Sequence, residues 1–326
     1  MFTPSDYKEI PVSNPGDGSA RYQDYKFFSA LEQHPFRPKA KIFEPVNAWL
    51  LAELALLAYT GEEFASTQLT RIGFERPRTF GEASQYSTQA MITGDSQCIF
   101  VVFRGTEAHR LADVIVDIDA LPGFTRDGYV HAGFARALNR GNCWDDIQSH
   151  LKSLRDDRKI FFTGHSMGAA VATIAAQQFR DRHERELQIY TFGSPRVGGL
   201  TFKHRFGPFP SFRVVNDRDA VPHLPPPPIY WHVPELVHVG PHNGLVHRNA
   251  FTGLRGAAAH LTFGAGDFRL SRDERCEQAE RMLVPEHPKF DKSFLRPISH
   301  HNPRVYATKM WNHYVWSELH ANHAHA

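Results

Sequence analysis

The sequence predicts an α/β fold with a central, mostly parallel sheet and helices on both faces. Short β-branched and aromatic runs recur at Cys98–Phe103 (CIFVVF), Lys159–Thr163 (KIFFT), Leu187–Phe192 (LQIYTF) and Phe212–Val215 (FRVV). Helical stretches separate them, and strands alternating with helices read as βαβ units. A turn with glycine at both ends, Gly164–Gly168, joins one such run directly to an Ala-rich helix.

Residues 1–44 are rich in Pro, Tyr and Phe and read as an irregular arm lying over the domain. Asn47–Tyr59 carries Leu50, Leu51, Leu54, Leu57 and Ala58 at helical spacing. Cys98–Phe103 is a strand that ends at Arg104-Gly105-Thr106. Residues 144–156 form a helix, Lys159–Thr163 a buried strand and Ala169–Arg180 a second helix, before the strands Leu187–Phe192 and Phe212–Val215. Beyond Leu236 the pattern weakens. Ser271-Arg-Asp-Glu274 is a capping box opening a helix to Leu283, and Tyr306–Leu319 is a closing helix. No stretch has the character of a linker, so the expectation is one domain over 1–326, with 236–300 as its divergent part.

Composition narrows the function. With 37 basic and 35 acidic residues the net charge of +2 is too balanced for a nucleic-acid footprint. At 41% hydrophobic and 22% charged residues, disorder is excluded. The longest apolar stretch, Asn47–Tyr59, is interrupted by Glu53 and is shorter than the ~20 residues that span a bilayer. The first 40 residues scatter charges among prolines and lack the apolar core of a signal peptide. The expectation is a soluble chain without a cleaved leader, cytoplasmic or exported by another route. Three separated cysteines, Cys98, Cys143 and Cys276, have no CxxC pairing for zinc or redox chemistry. His320, His323 and His325 read as an exposed tail rather than a metal site.

The sharpest signal is Gly164-His165-Ser166-Met167-Gly168, set between a strand and a helix. A sharp strand-to-helix turn lifts a serine hydroxyl above the sheet, and the flanking glycines admit neighbouring backbones. The helix N-terminus aims amides at charge developing beside Ser166. A serine needs a base to take its proton, and that base needs an orienting acid. The strand Phe212–Val215 runs into a loop offering Asp217 and Asp219 as that acid.

These stretches resemble the class 3, or fungal-type, triacylglycerol lipase family of the α/β-hydrolase superfamily. The resemblance rests on VVFRGT (Val101–Thr106), VHAGF (Val130–Phe134), TGHSMGA (Thr163–Ala169), TFGSPRVG (Thr191–Gly198) and RVVNDRDAVPHLPP (Arg213–Pro226), in the family's order. It implies an α/β-hydrolase fold with a short lid helix, and cleavage of lipid esters at a lipid–water interface through an acyl-enzyme, without cofactor or metal. It further implies Ser166 as nucleophile, Asp219 as acid, and the amides of Thr106 and Met167 as oxyanion donors. His301, in HHNPRVY, matches the family's late histidine and is the first choice as base. His260, in AHLTF, is the second and His300 the third.

Residues 107–121 are the implied lid. Leu111, Val114, Ile115 and Ile118 share a helical face there, and the same pattern also suits a core-facing helix. Val114 stands where the family often has Trp. Acyl preference stays open among triacylglycerol, monoacylglycerol, phospholipid and short-chain esters. A catalytically silent lipid- or partner-binding module is the alternative of a different class, and it would call for a broken triad.

Overall fold

Among the described residues, ten strands follow in chain order: β1 (Arg78–Phe80), β2 (Ala90–Gly94), β3 (Cys98–Phe103), β4 (Pro122–Thr125), β5 (Gly128–His131), β6 (Lys159–His165), β7 (Leu187–Phe192), β8 (Ser211–Asn216), β9 (Leu236–Val239) and β10 (Val246–Arg248). Seven α-helices accompany them among the described residues: α1 (Pro45–Leu57), α2 (Glu62–Arg71), α3 (Ala132–Asn139), α4 (Cys143–Ser153), α5 (Met167–Arg180), α6 (Leu200–Arg205) and α7 (Pro303–Ala321). The computed structural model describes residues 2–10, 19–82, 89–105, 122–154, 157–216, 219–225, 228–233, 235–240, 246–248 and 300–321. The predicted helix 271–283 lies outside them.

The main sheet has eight strands in the order β1-β2-β3-β6-β7-β8-β9-β10. From β3 to β9 every neighbour is parallel, while β1, β2 and β10 add antiparallel edges. The four strands read from sequence occupy the sheet's centre, where burial on both faces gives the continuous apolar runs by which they are legible. The weak pattern from Leu236 onward hides two sheet strands, β9 and β10, whose four and three residues are too few to show a period. β4 and β5 form a separate two-stranded ribbon.

Pleating divides the core in two. Phe100, Val102, Phe161, Tyr190, Phe212 and Val214 face α1 and α7, whereas Ile99, Val101, Phe103, Phe162 and Ile189 face α3, α4 and α5. Helices therefore lie on both faces, as expected of an α/β sheet.

α1 is buried on every side, including Asn47 and Glu53, and such a helix needs cover on the face turned away from the sheet. The N-terminal segment supplies part of that cover. It is irregular, with short 3-10 turns at Pro4–Asp6 and Ser19–Asp24, but Tyr22, Tyr25, Phe27 and Phe28 belong to the core. This corrects the expectation of an arm merely lying over the domain. The polar residues of α1 hold the segment down. Asn47 brackets the Arg37 backbone with two hydrogen bonds, of 2.8 and 2.9 Å. Glu53 accepts from Tyr25 Oη at 2.8 Å, from Trp49 Nε1 at 2.7 Å and from the Phe28 amide. Lys8 stands 3.8 Å from Glu53 and 4.7 Å above the Trp311 ring of α7.

Register sets the site. Phe103 pairs with Gly164, His165 with Phe192, and Phe192 with Val214. The carboxyl ends of β3, β6, β7 and β8 are thus level, and the loops leaving them meet on one edge, where ligands bind in open α/β sheets.

Candidate active site

Ser166 sits between β6 and α5 with φ 59° and ψ −129°, a conformation L-residues rarely adopt. Local hydrogen bonds and close backbone packing hold it there. Its amide donates to the Phe192 carbonyl at 3.0 Å, and its own carbonyl accepts from the Ala169 amide at 3.0 Å to start the helix. A Cβ on Gly164 would lie 2.6 Å from the Gly168 backbone and 2.8 Å from the Phe103 carbonyl, and one on Gly168 would strike the ends of β3 and its loop. The two glycines flanking the turn therefore let α5 pack onto the strand with no gap for side chains. The strain is local and is balanced by this packing.

Asp219 and His301 come together from opposite ends of the chain's second half. His301 Nδ1 lies 2.7 Å from Asp219 Oδ2, and both side chains are buried. Tyr306, one turn into α7, donates to the same Oδ2 at 2.6 Å, and the Val221 amide donates to Oδ1 at 2.9 Å. Burial and the Asp219 charge hold the Tyr306 phenol well above its ordinary pKa, so it stays a donor. The Asn216 amide donates to Tyr306 Oη at 3.0 Å, and Asn216 Nδ2 donates to the His300 carbonyl at 2.7 Å. β8 thereby pins the segment that carries His301. Gly193, with φ 60°, closes the arrangement: a Cβ there would lie 2.9 Å from His301 Nδ1 and Cε1 and 3.0 Å from Asp219 Oδ2.

The pair stands beside Ser166. The His165 and His301 ring centroids are 4.5 Å apart, and Gly193 directly follows the Phe192 carbonyl that receives the Ser166 amide. His301 Nε2 is buried and bonds to nothing among the described residues, which leaves that nitrogen available for a proton. Nearby, the buried Arg213 and the half-buried Arg196 lie behind the site. Burial lowers Arg213 to about 9 and Arg196 to about 10. Arg196 donates to the carbonyls of His223 and Pro225, fastening the loop after Asp219.

Residues 100–228 match the family model described as lipase (class 3). Over that stretch the chain is similar to the class 3 lipases. The Rhizomucor miehei lipase is 35% identical over 158 residues, 43% of this chain and 42% of that protein. The secreted mono- and diacylglycerol lipase 3 of Gibberella zeae is 32% identical over 166 residues, 46% and 51% respectively. The chain spans about four-tenths to a half of the length of these curated relatives. A crystal structure of an MDLA mutant of Penicillium cyclopium, 22% identical, covers 64% of this chain and 88% of its own with a TM-score of 0.53. The overlap extends over most of that structure, and the fold is that of the α/β hydrolases.

Of the residues picked from sequence, the structure brings together Ser166, Met167, Asp219 and His301. Thr106, the lid residues Leu111, Val114, Ile115 and Ile118, the alternative acid Asp217 and the alternative base His260 lie outside the described residues. Gly105, just before Thr106, does reach the site, since a Cβ on it would lie 3.2 Å from Ser166 Cβ. Sequence reasoning missed Tyr306, Asn216 and Gly193 as supports. Gly193 and Asn216 stand inside motifs quoted above, and Tyr306 ends the stretch that carries His301. Among the described residues no helix is long and apolar enough to cross a membrane, and no group of His, Cys, Asp or Glu is placed to hold a metal ion.

Proposed function

We propose that the chain is a serine hydrolase of lipid carboxylic esters, a triacylglycerol lipase working through an acyl-enzyme. The buried Asp219–His301 hydrogen bond beside the strained Ser166 carries this reading. Asp219 fixes His301 with Nδ1 protonated and Nε2 free to accept, and it stabilises the imidazolium that forms. His301 takes the Ser166 proton as Oγ attacks the acyl carbonyl. The α5 N-terminus, through the Met167 amide, and the Thr106 amide hold the oxyanion. Imidazolium then protonates the departing alcohol, and water releases the acid by the same path. No step needs a cofactor.

The lipid-ester substrate and the interface at which it is met follow from the family. So does the assignment of 107–121 as a lid. Mono- and diacylglycerol esters are the second reading, favoured by the likeness to a mono- and diacylglycerol lipase.

Labelling with a fluorophosphonate tests the reading. Wild type is expected to label and Ser166→Ala not to; no Ser166-dependent labelling would favour a silent binding module. His301→Ala should cut turnover of p-nitrophenyl esters by roughly 10²–10⁴-fold, the usual contribution of a general base. His260→Ala should cost far less, and the reverse ranking would move the base to His260.

A further inference from the structure

His165, the last residue of β6, takes no part in the proton path above, yet it is buried against it. Its Nδ1 lies 2.9 Å from Tyr59 Oη. Its ring is inclined at 37° to that of His301 with 4.5 Å between centroids, and it meets the Tyr306 ring edge-on at 5.5 Å. Tyr59 comes from the turn that ends α1. Its hydroxyl occupies the place a Cβ on Gly105 would take, and the same Cβ would strike the His165 carbonyl. One phenol therefore touches both the histidine and the backbone of the loop after β3.

We propose that His165 is a positioning residue for the His301 base, and that Tyr59 locks it in place while seating the Gly105 loop beside Ser166. The assignment deepens the hydrolase reading and rests on it. Asp219 and Tyr306 fix only the Nδ1 edge of His301, and an imidazole held at one edge can still swing about that bond. A flat ring packed against its face removes this freedom and aims Nε2 at the nucleophile. Tyr59 Oη and His165 Nδ1 share a hydrogen bond whose direction follows the tautomer, so the phenol fixes where the ring sits.

The charge of His165 matters as much as its shape. His301 turns cationic in each half-reaction, and a second cation 4.5 Å away would oppose it. His165 meets that need. Burial first, then the neighbouring His301, holds it well below the ordinary histidine range, only partly offset by the His301 carbonyl. The groups that face it are Tyr59 from the end of α1, and His301 and Tyr306 from the α7 region. The Arg104 guanidinium lies 5.8 Å from the Tyr59 ring centre. Asp219 bonds His301, Tyr306 and the Val221 amide, not His165.

The experiment compares wild type, Tyr59→Phe, His165→Phe, the double variant and Ser166→Ala on dissolved p-nitrophenyl acetate across pH. Tyr59→Phe is expected to lower kcat by about 10–10²-fold, the scale of a small misplacement of a catalytic group, with KM within about twofold. The acid slope of kcat/KM should not change, because burial and the neighbouring His301 still hold His165 well below the ordinary histidine range. His165→Phe keeps a flat ring without the hydrogen bond, so its kcat should fall on the same scale with KM unchanged, and adding Tyr59→Phe should cost little more. A merely structural role would lower thermal stability while leaving kcat of the folded protein within twofold, or make the two losses multiply; either result overturns the assignment. If His165→Phe fails to fold, as read by thermal unfolding, the split between kcat and KM in Tyr59→Phe decides alone. Should Ser166→Ala retain wild-type turnover, the hydrolase reading itself fails. Should it abolish turnover while Tyr59→Phe matches wild type, only the positioning role is lost.

Discussion

Replacing Gly193 by alanine probes the support behind the base with one added methyl group. The new Cβ would lie 2.9 Å from Nδ1 and Cε1 of His301 and 3.0 Å from Asp219 Oδ2, whereas ordinary contact begins near 3.4 Å. The imidazole would have to retreat by about 0.5 Å, the difference between 3.4 and 2.9 Å. That shift is enough to stretch its 2.7 Å bond to Asp219 to the outer range of hydrogen bonding. Misplacement by 1 Å costs ~10²-fold, so Gly193→Ala should lower kcat by about 10–10²-fold, or about 1.4–2.7 kcal/mol of barrier. KM for a dissolved ester should hardly move, since the acyl site is untouched. Alanine at φ 60° adds about 1–2 kcal/mol of backbone strain, visible as a lower urea midpoint. The assay is steady-state hydrolysis of p-nitrophenyl butyrate, with fluorophosphonate labelling rates as a check independent of deacylation. A variant that folds and keeps kcat within twofold would refute the claim that Gly193 seats the acid–base pair.

Two further outcomes follow from the same geometry. Tyr306→Phe removes the 2.6 Å donation to Asp219 and leaves the Asn216 amide without its acceptor; stability should drop by about 1–3 kcal/mol in urea unfolding and kcat by roughly tenfold. Burial raises the Glu53 carboxyl above its ordinary 4.5, so over that window the folded chain holds a proton that the unfolded chain has released. This contribution to stability is complete below 4.5 and fades as pH rises through the raised value. Glu53→Gln should flatten that part of the stability–pH curve, measured by urea unfolding between pH 4 and 8. It should also lower stability near neutrality by a few kcal/mol, because an amide cannot accept from Tyr25, Trp49 and Phe28 together.

The sequence alone determined whatever a short stretch of chain can carry. Strands β3, β6, β7 and β8 announced themselves because burial on both faces demands unbroken apolar runs. The candidate nucleophile was legible because a strand-to-helix elbow needs glycine on either side of Ser166 within five residues. Asp219, the candidate acid, was legible through its motif, and with it the likeness to the class 3 lipases. What only the tertiary structure decided depends on contacts between distant parts of the chain. His301 meets Asp219 across 82 positions, and Tyr306 across 87. No local period records such a meeting, so His260 and His301 stood as rivals on the page. Gly193 looked like any turn glycine until His301 lay where its side chain would have been. The N-terminal segment became part of the core because α1, apolar all round, had a face that the sheet could not cover.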